Sequence, residues 1–345
     1  MKTIETARLV LRKFTPDDFA SVHSYASCLE NVVYMPFKPN SEEDTKAFIN
    51  MAIAEAEKTP CRNYQYAVTL KSSGVLIGGC GIWHGTDLSA SEAEIGWLLH
   101  RDYWNQGYGT EAGEVLLKFG FREMGLHRII ARCDAENLSS YRLMEKIGMR
   151  REGLFIESRP AHKLSNQKYG DSLFYAILNS EWEARQEAAY YNSLTYAFEG
   201  FIDVPGLSDG VIYLVCTEKT PYNPETKWLP AYNFIICKAG EKIGNINLRI
   251  GYSAGLYYGG HIGYGIDEKY RANGYAARAC RLLRPLFKAH GMKKVLITGD
   301  HCNTASQRVC EKLGARLNRT ARIPEWHNMY ERGMRFVNIY EWNVE

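Results

Sequence analysis

The period of hydrophobic positions changes along the chain in an order that predicts alternating strands and helices. Residues 8–12 alternate, with Leu9 and Leu11 on one side, which predicts a first strand. Two helical stretches follow over 17–28 and 42–57, the second with Ser41 or Asn40 as its cap. Residues 64–70 and 75–83 read as a hairpin about Ser73-Gly74, and 94–99 as a further strand. Ala112, Val115, Leu116 and Phe119 then stand at i, i+3, i+4 and i+7, one apolar helix face. A short strand over 129–132 and a helix over 139–147, ended by Gly148, complete the series.

The second half repeats the first. Ala279, Leu282, Leu283 and Leu286 restate the helix face, with Pro285 inside it as an expected kink. Residues 295–298 restate the short strand, and 305–313 the helix ended by Gly314. Identities follow the same order. NLSSYRLMEKIG at 137–148 answers NTASQRVCEKLG at 303–314, an offset of 166. Gly107-Tyr108-Gly109 answers Gly274-Tyr275-Ala276, and Ile95-Gly96-Trp97 answers Ile262-Gly263-Tyr264, both at 167. Ordered matches with single-residue slips identify a duplicated domain; a solenoid would repeat every ~20–50 residues. The expected organisation is a mixed α/β domain over 1–180, a helical linker over 181–193 and a second domain over 194–345. The copies differ most over 203–230, where Pro and Gly stand in place of two helices.

Composition narrows the partners. The 345 residues allow two cores. A net charge of +3 without a dense Lys/Arg run argues against a nucleic-acid partner. Nine scattered cysteines without a CxxC pair suggest neither disulfides nor zinc, and the nine histidines lack ligand spacing, so no metal is expected. No run reaches the ~18 apolar residues that span a bilayer, and the first ten residues carry no signal core. A cytoplasmic protein without membrane association is the expectation.

The unit that carries chemistry is strand, glycine turn, helix: WNQGYGTEA at 104–112 and RANGYAARA at 271–279. Glycine admits close backbone approach, and a helix start offers unpaired N–H groups to a pyrophosphate. Gly107 and Gly109 also fit a plain tight turn, but each turn is followed ~30 residues later by an Asn-x-x-Ser helix. The third glycine of GxGxxG is misplaced and GxxxxGK[ST] is absent, which disfavours nicotinamide and ATP sites.

Arg271-x-x-Gly274-x-Ala276 resembles the acetyl-CoA loop of the GNAT acetyltransferase superfamily. Trp104 in place of the leading residue, Thr6-x-Arg8-Leu9-x-Leu11-Arg12, and Gly148-Met149-x-x-Glu152-Gly153 resemble its ribosomal-protein-alanine acetyltransferase branch. The resemblance implies two tandem GNAT folds, each a mixed, mostly antiparallel splayed sheet flanked by helices. It implies acetyl-CoA as co-substrate, wedged between the strands holding 94–99 and 129–132. Gln106, Gly107, Tyr108, Gly109 and Thr110, and Arg271, Asn273, Gly274, Tyr275 and Ala276, would line the pyrophosphate; Asn137 and Asn303 would reach the pantetheine arm. The tyrosine many members place before Glu-Lys is Met144 in one copy and Cys310 in the other. Ser140 and Ser306 are the nearest hydroxyls, although a serine in a first helical turn also serves backbone groups.

An acceptor amine must lose a proton. Glu94 is the candidate base, with Glu92 as competitor; the matching residue in the second copy is His261, which also reads as a structural histidine. The reading that results is an N-acetyltransferase in which a small-molecule or peptide amine attacks the thioester directly. The alternative is that one copy or both bind coenzyme A without catalysis.

Overall fold

The computed structural model describes residues 1–85, 89–203 and 206–344. Its backbone divides into two compact units, Met1–Trp182 and Glu183–Glu345. Unit 1 runs β1 (Ile4–Glu5), β2 (Leu9–Arg12), α1 (Phe19–Ala26), α2 (Leu29–Val32), α3 (Glu42–Glu57), β3 (Asn63–Leu70), β4 (Leu76–Trp83), β5 (Glu92–Leu99), α4 (Tyr108–Arg122), β6 (Arg128–Asp134), α5 (Leu138–Lys146), β7 (Arg150–Pro160) and β8 (Tyr169–Leu178). One sheet has the order β1-β2-β3-β4-β5-β6-β8-β7. Its neighbours are antiparallel except β5 and β6, which pair in parallel. That ladder holds only Glu92–Arg128, Ala93–Ile129 and Glu94–Ile130. Beyond Glu94 the two strands run on unpaired to Leu99 and Asp134 and leave a cleft between them.

Alternation decides which residues face which layer. Ala93, Ile95 and Leu99 of β5 and Ile129, Ala131 and Cys133 of β6 join Ala112, Leu116 and Leu117 of α4 in one core. On the opposite face Val22, Tyr25, Ile49 and Ala52 of α1 and α3 cover Ala67 and Leu76. Helix α3 starts where the sequence places it: Ser41 Oγ accepts from the Asp44 amide, and the Asp44 side chain returns a bond to the Ser41 N–H.

Helix α6 (Asn179–Ser193) follows, and unit 2 continues with β9 (Tyr213–Thr220), β10 (Ala231–Lys238), β11 (Glu241–Arg249), α7 (Ala254–Gly259), β12 (Ile262–Ile266), α8 (Tyr275–Leu282), α9 (Arg284–Ala289), β13 (Lys294–Asp300), α10 (Thr304–Leu313), β14 (Arg316–Arg322), α11 (Asn328–Glu331) and β15 (Phe336–Asn343). Here the sheet is parted into β12-β11-β10-β9 and β13-β15-β14, which answer the two halves of the unit 1 sheet. Pro285 ends one helix and opens the next: α8 stops at Leu282 and Pro285 is the second residue of α9, where a missing N–H costs least. Residues 221–230 join β9 to β10, whereas 13–62 make the matching connection in unit 1 and supply α1, α2 and α3.

Helix α6, polar in sequence, is not a free tether. In unit 1 Trp182 is buried against Phe121, ring centroids 5.5 Å apart. In unit 2 Ala184 and Ala188, one turn apart, are buried with Tyr257, Leu296, Val337 and Ile339. Glu187 accepts from the Tyr257 hydroxyl at 2.7 Å and Asn318 Nδ2 at 3.0 Å, and Arg319 pairs with Glu183 and Glu187.

Candidate active site

Each unit turns from β5 or β12 into its helix through two left-handed residues. They are Asn105 (φ 58°) and Gly107 (φ 82°) in unit 1, and Ala272 (φ 63°) and Gly274 (φ 77°) in unit 2. Left-handed residues at such a turn make a concave nest of backbone N–H groups, which suits an anion. A Cβ on Gly107 would lie 3.3 Å from Arg8 Nη2, and one on Gly274 3.7 Å from Lys312 Nζ. Each turn thus lies beneath a cation, and the site fits a pyrophosphate. Gly109 is confined differently: a Cβ there would meet Leu143 Cδ1 at 2.7 Å. Unit 2 carries the methyl of Ala276, and the residue matching Leu143 is the shorter Val309.

The other expected cofactor residues are held locally. Gln106 donates Nε2 to Asp102 O at 2.8 Å, and its carbonyl accepts from Arg8 Nη1 at 3.0 Å. The Arg8 guanidinium lies 4.5 Å over the Tyr108 ring. Thr110 is half-buried in the first turn of α4. Arg271 Nε donates to Ile266 O at 3.1 Å, Asn273 Nδ2 donates to Arg271 O at 2.9 Å, and Tyr275 OH accepts from Lys238 Nζ at 2.7 Å. Asn137 and Asn303 are helix caps: their Oδ1 atoms accept from the amides of Ser140 (3.1 Å) and Ser306 (3.0 Å). The serine contributes its backbone to that cap, and its hydroxyl points elsewhere.

Glu94 closes the parallel ladder of unit 1, on the face away from α4. It is buried and bidentate with Arg132, at 3.0 Å from Nε and 2.6 Å from Nη2. Glu92, two residues earlier on that face, is held by Arg128 Nε at 2.6 Å, and Arg128 also binds Glu152. Ser140 hydrogen-bonds the Cys133 thiol, which burial pushes up to about 11. Met144 and Cys310, at the usual tyrosine positions, are both buried, and burial pushes the Cys310 thiol up to about 12.

His261 does not reach a cleft. It is 0% exposed, its Nε2–H donates to Gly251 O at 3.2 Å, and Nδ1 accepts the Leu296 amide at 2.9 Å. The His261 amide donates to Leu296 O at 2.7 Å. Glu94 faces Ile130 at the matching place in unit 1. In unit 2 the imidazole therefore supplies a bond between two sheets that a strand ladder supplies elsewhere. Burial drives its pKa down to about 3, with Arg249 adding to the effect. Both ring nitrogens are committed to backbone groups.

Sequence reasoning missed two residues that contact the candidate site residues. Tyr264, at the place of Trp97, puts its hydroxyl 3.0 Å from Ser306 Oγ, and a Cβ on Gly299 of β13 would lie 2.8 Å from that oxygen. Arg132 is the other; its alternation with Ile130 on β6 is the signal that pairs it with Glu94. At the exposed end of β13, Asp300, His301 and Cys302 bring ligand-type atoms within 4.8 Å of one another, a sequence-adjacent trio that the search for spaced ligands passed over.

In unit 1 the β7–β8 hairpin closes on the end of α2 and the residues that follow it. Arg159 Nη2 donates to Tyr34 O at 2.7 Å, and Lys163 Nζ donates to Val32 O at 2.7 Å and Met35 O at 2.6 Å. Asp134, the last residue of β6, is 2% exposed and has Oδ2 without a hydrogen-bond partner, 3.7 Å from Arg159 Nε. These contacts join two segments remote in sequence around the buried carboxylate of Asp134.

A splayed mixed sheet with an anion-binding helix start at the cleft mouth, twice over, defines a coenzyme-dependent acyl-transfer fold. The family model "Acetyltransferase (GNAT) domain" matches residues 8–150 and 217–316, and the chain belongs to this family; it is an N-acetyltransferase. It is similar to uncharacterized N-acetyltransferase YnaD of Bacillus subtilis strain 168, at 41% identity over 52% of this chain and 98% of that one. It is similar to uncharacterized N-acetyltransferase p20 of Bacillus licheniformis, at 31% over 53% of this chain and 99% of the relative. Among solved structures it resembles a GNAT-family acetyltransferase from Bacillus anthracis, with 39% identity and a TM-score of 0.46, over 52% of this chain and all of that one. Members of this family use acetyl-CoA. Among the described residues no helix is long and apolar enough to cross a membrane.

Proposed function

We propose that unit 1 transfers acetyl from acetyl-CoA to a primary amine by direct attack, and that unit 2 holds coenzyme A without transferring. Each unit is on this reading a GNAT domain with its own coenzyme site. The single observation that carries the division is the last residue pair before the splay. Glu94 of unit 1 keeps a carboxylate at the end of the parallel ladder, paired with the exposed Arg132, whereas His261 spends both nitrogens on the backbone of unit 2.

Acetyl-CoA supplies the acyl group as a thioester open to attack by a neutral amine. The turns at Gly107 and Gly274 hold the pyrophosphate on backbone N–H groups. The Nδ2 of Asn137 or Asn303, whose Oδ1 is spent on the cap, donates to a carbonyl of the pantetheine arm. Glu94 accepts the amine proton directly or through one water, with Arg132, its exposed partner, swinging clear as the acceptor enters. Ser140 would return a proton to the thiolate that the attack releases, so that coenzyme A leaves as the free thiol. The acceptor is a small-molecule or peptide amine, bounded by Tyr34, Arg159 and the buried carboxylate of Asp134.

Thiol release from acetyl-CoA with a panel of amines tests the reading. Glu94→Gln is expected to lower turnover by about 10²-fold or more with two coenzymes still bound per chain. A wild-type rate across about pH 6 to 9 would move the proton acceptor away from Glu94.

A further inference from the structure

Strand β13 ends in a turn whose side chains unit 1 does not share. Asp300, His301 and Cys302 follow one another there, and their ligand-type atoms lie within 4.8 Å of one another. Cys302 Sγ stands 3.3 Å from His301 Nε2, and His301 Nδ1 stands 3.6 Å from Asp300 Oδ1. The Phe336 ring of β15 steadies the imidazole, edge to face with centroids 5.5 Å apart. Gln307 Nε2 holds the His301 carbonyl at 2.7 Å. All three side chains reach solvent.

The fold does not require all of them. In unit 2 Asp300 Oδ1 accepts the Cys302 amide at 2.8 Å, and the Asn303 amide donates to Asp300 O at 2.9 Å. Unit 1 builds the same turn from Asp134-Ala135-Glu136. There Asp134 Oδ1 accepts the Glu136 amide at 2.9 Å, and the Asn137 amide donates to Asp134 O at 3.0 Å. The aspartate serves the turn in both units, as aspartates in turns commonly do. The imidazole and the thiol do not, since a methyl and a carboxylate stand at their places in unit 1. A neighbouring pair of nitrogen and sulfur ligands is what unit 2 adds.

We propose that Asp300, His301 and Cys302 bind a zinc ion at the end of β13, and that the matching turn of unit 1 does not. One thiolate, one imidazole and one carboxylate suit zinc; calcium and magnesium take oxygen ligands. The spacing agrees. Zinc bonds of about 2.3 Å to sulfur and about 2.0 Å to nitrogen, at a tetrahedral angle, put those two atoms about 3.5 Å apart. The observed separation is 3.3 Å. Binding forms a zinc–sulfur bond while the Cys302 thiol proton passes to solvent. Asp300 Oδ2, the oxygen that the turn does not use, is the third ligand. Three protein ligands leave the fourth position open to water or a small ligand, as in exchangeable zinc sites.

Cobalt(II), a coloured stand-in for zinc, tests this on the full chain, stripped of metal by a chelator and kept reduced by a phosphine. One equivalent is expected to raise a thiolate-to-cobalt charge-transfer band, and one equivalent of zinc to bleach it. His301→Ala and Cys302→Ser should each weaken zinc binding by more than the about 10–100-fold that loss of an outer partner costs. Cys302→Ser should also remove the band. Asp300→Asn keeps an oxygen for the turn and should weaken zinc binding while the band persists. The double variant His301→Ala/Cys302→Glu gives the turn its unit 1 sequence, so it should fold as the parent does by circular dichroism and bind neither metal. No band in the parent would leave only a thiol-to-imidazole hydrogen bond and overturns the site. A band that survives in the double variant or in Cys302→Ser also overturns it, since the metal would then sit on other cysteines.

Discussion

Replacing His261 by glutamine separates a structural from a chemical role, because the two predict opposite pH behaviour. In the folded chain the imidazole is neutral down to about pH 3, driven there chiefly by burial; in the unfolded chain it protonates near the ordinary 6.5. As pH falls below about 6.5 the unfolded state takes up a proton that the folded state refuses. The stabilisation is therefore complete above about 6.5 and is lost as pH falls toward about 3, at about 1.4 kcal/mol per unit. At pH 5 the loss is about 2 kcal/mol relative to pH 7.5, a sizeable part of a domain's usual margin. Glutamine cannot titrate and cannot span both Gly251 O and the Leu296 amide as the ring does. The variant should start about 1–3 kcal/mol less stable at pH 7.5, the cost of an unpaired buried group, and lose less on acidification. Urea unfolding of the full chain at several pH values, read by probes in unit 2, measures both. His290 and His327 are also held below their ordinary range by burial, so the quantity that matters is the difference between wild type and variant. Parallel pH slopes would refute the argument. Loss of the acidic limb of the acetylation rate profile in the variant, with folding intact, would restore His261 as a base.

Two further outcomes follow from packing. Gly109→Ala should destabilise unit 1 by about 1–3 kcal/mol through overpacking against Leu143, and Leu143→Val should recover most of it, as thermal unfolding of the single and double variants would report. Asn137→Ala and Asn303→Ala should each cost about 1 kcal/mol as lost caps before any coenzyme is added, so denaturation of the coenzyme-free chain distinguishes that loss from an effect on affinity.

Much of the fold was legible in the sequence because it is locally encoded. Residues 42–57 are a helix with the expected bounds since Ser41 and Asp44 cap each other and the apolar period is unbroken. The strand at 94–99 begins two residues earlier, at Glu92, because pairing with Arg128 extends it beyond its apolar positions. The family resemblance followed from the glycine turns at 104–112 and 271–276, the opening strand at 6–12 and the segment at 148–153, which are short-range patterns. The packed role of α6 was hidden, since Ala184 and Ala188 are too small to announce a buried face in a polar helix.

The candidate site divides along the same physical line. The sequence by itself determined the duplication, through matches in the same order, and the turns at Gly107 and Gly274, which depend on neighbours within a few residues. Only the tertiary structure decided the partners of Glu94 and His261, although they occupy matching positions. The strand that faces each of them arrives from more than thirty residues away, and brings Arg132 to the carboxylate in one unit and a bare Leu296 amide to the imidazole in the other. Long-range pairing sets the partners and the burial of an ionisable group, and these set its chemistry.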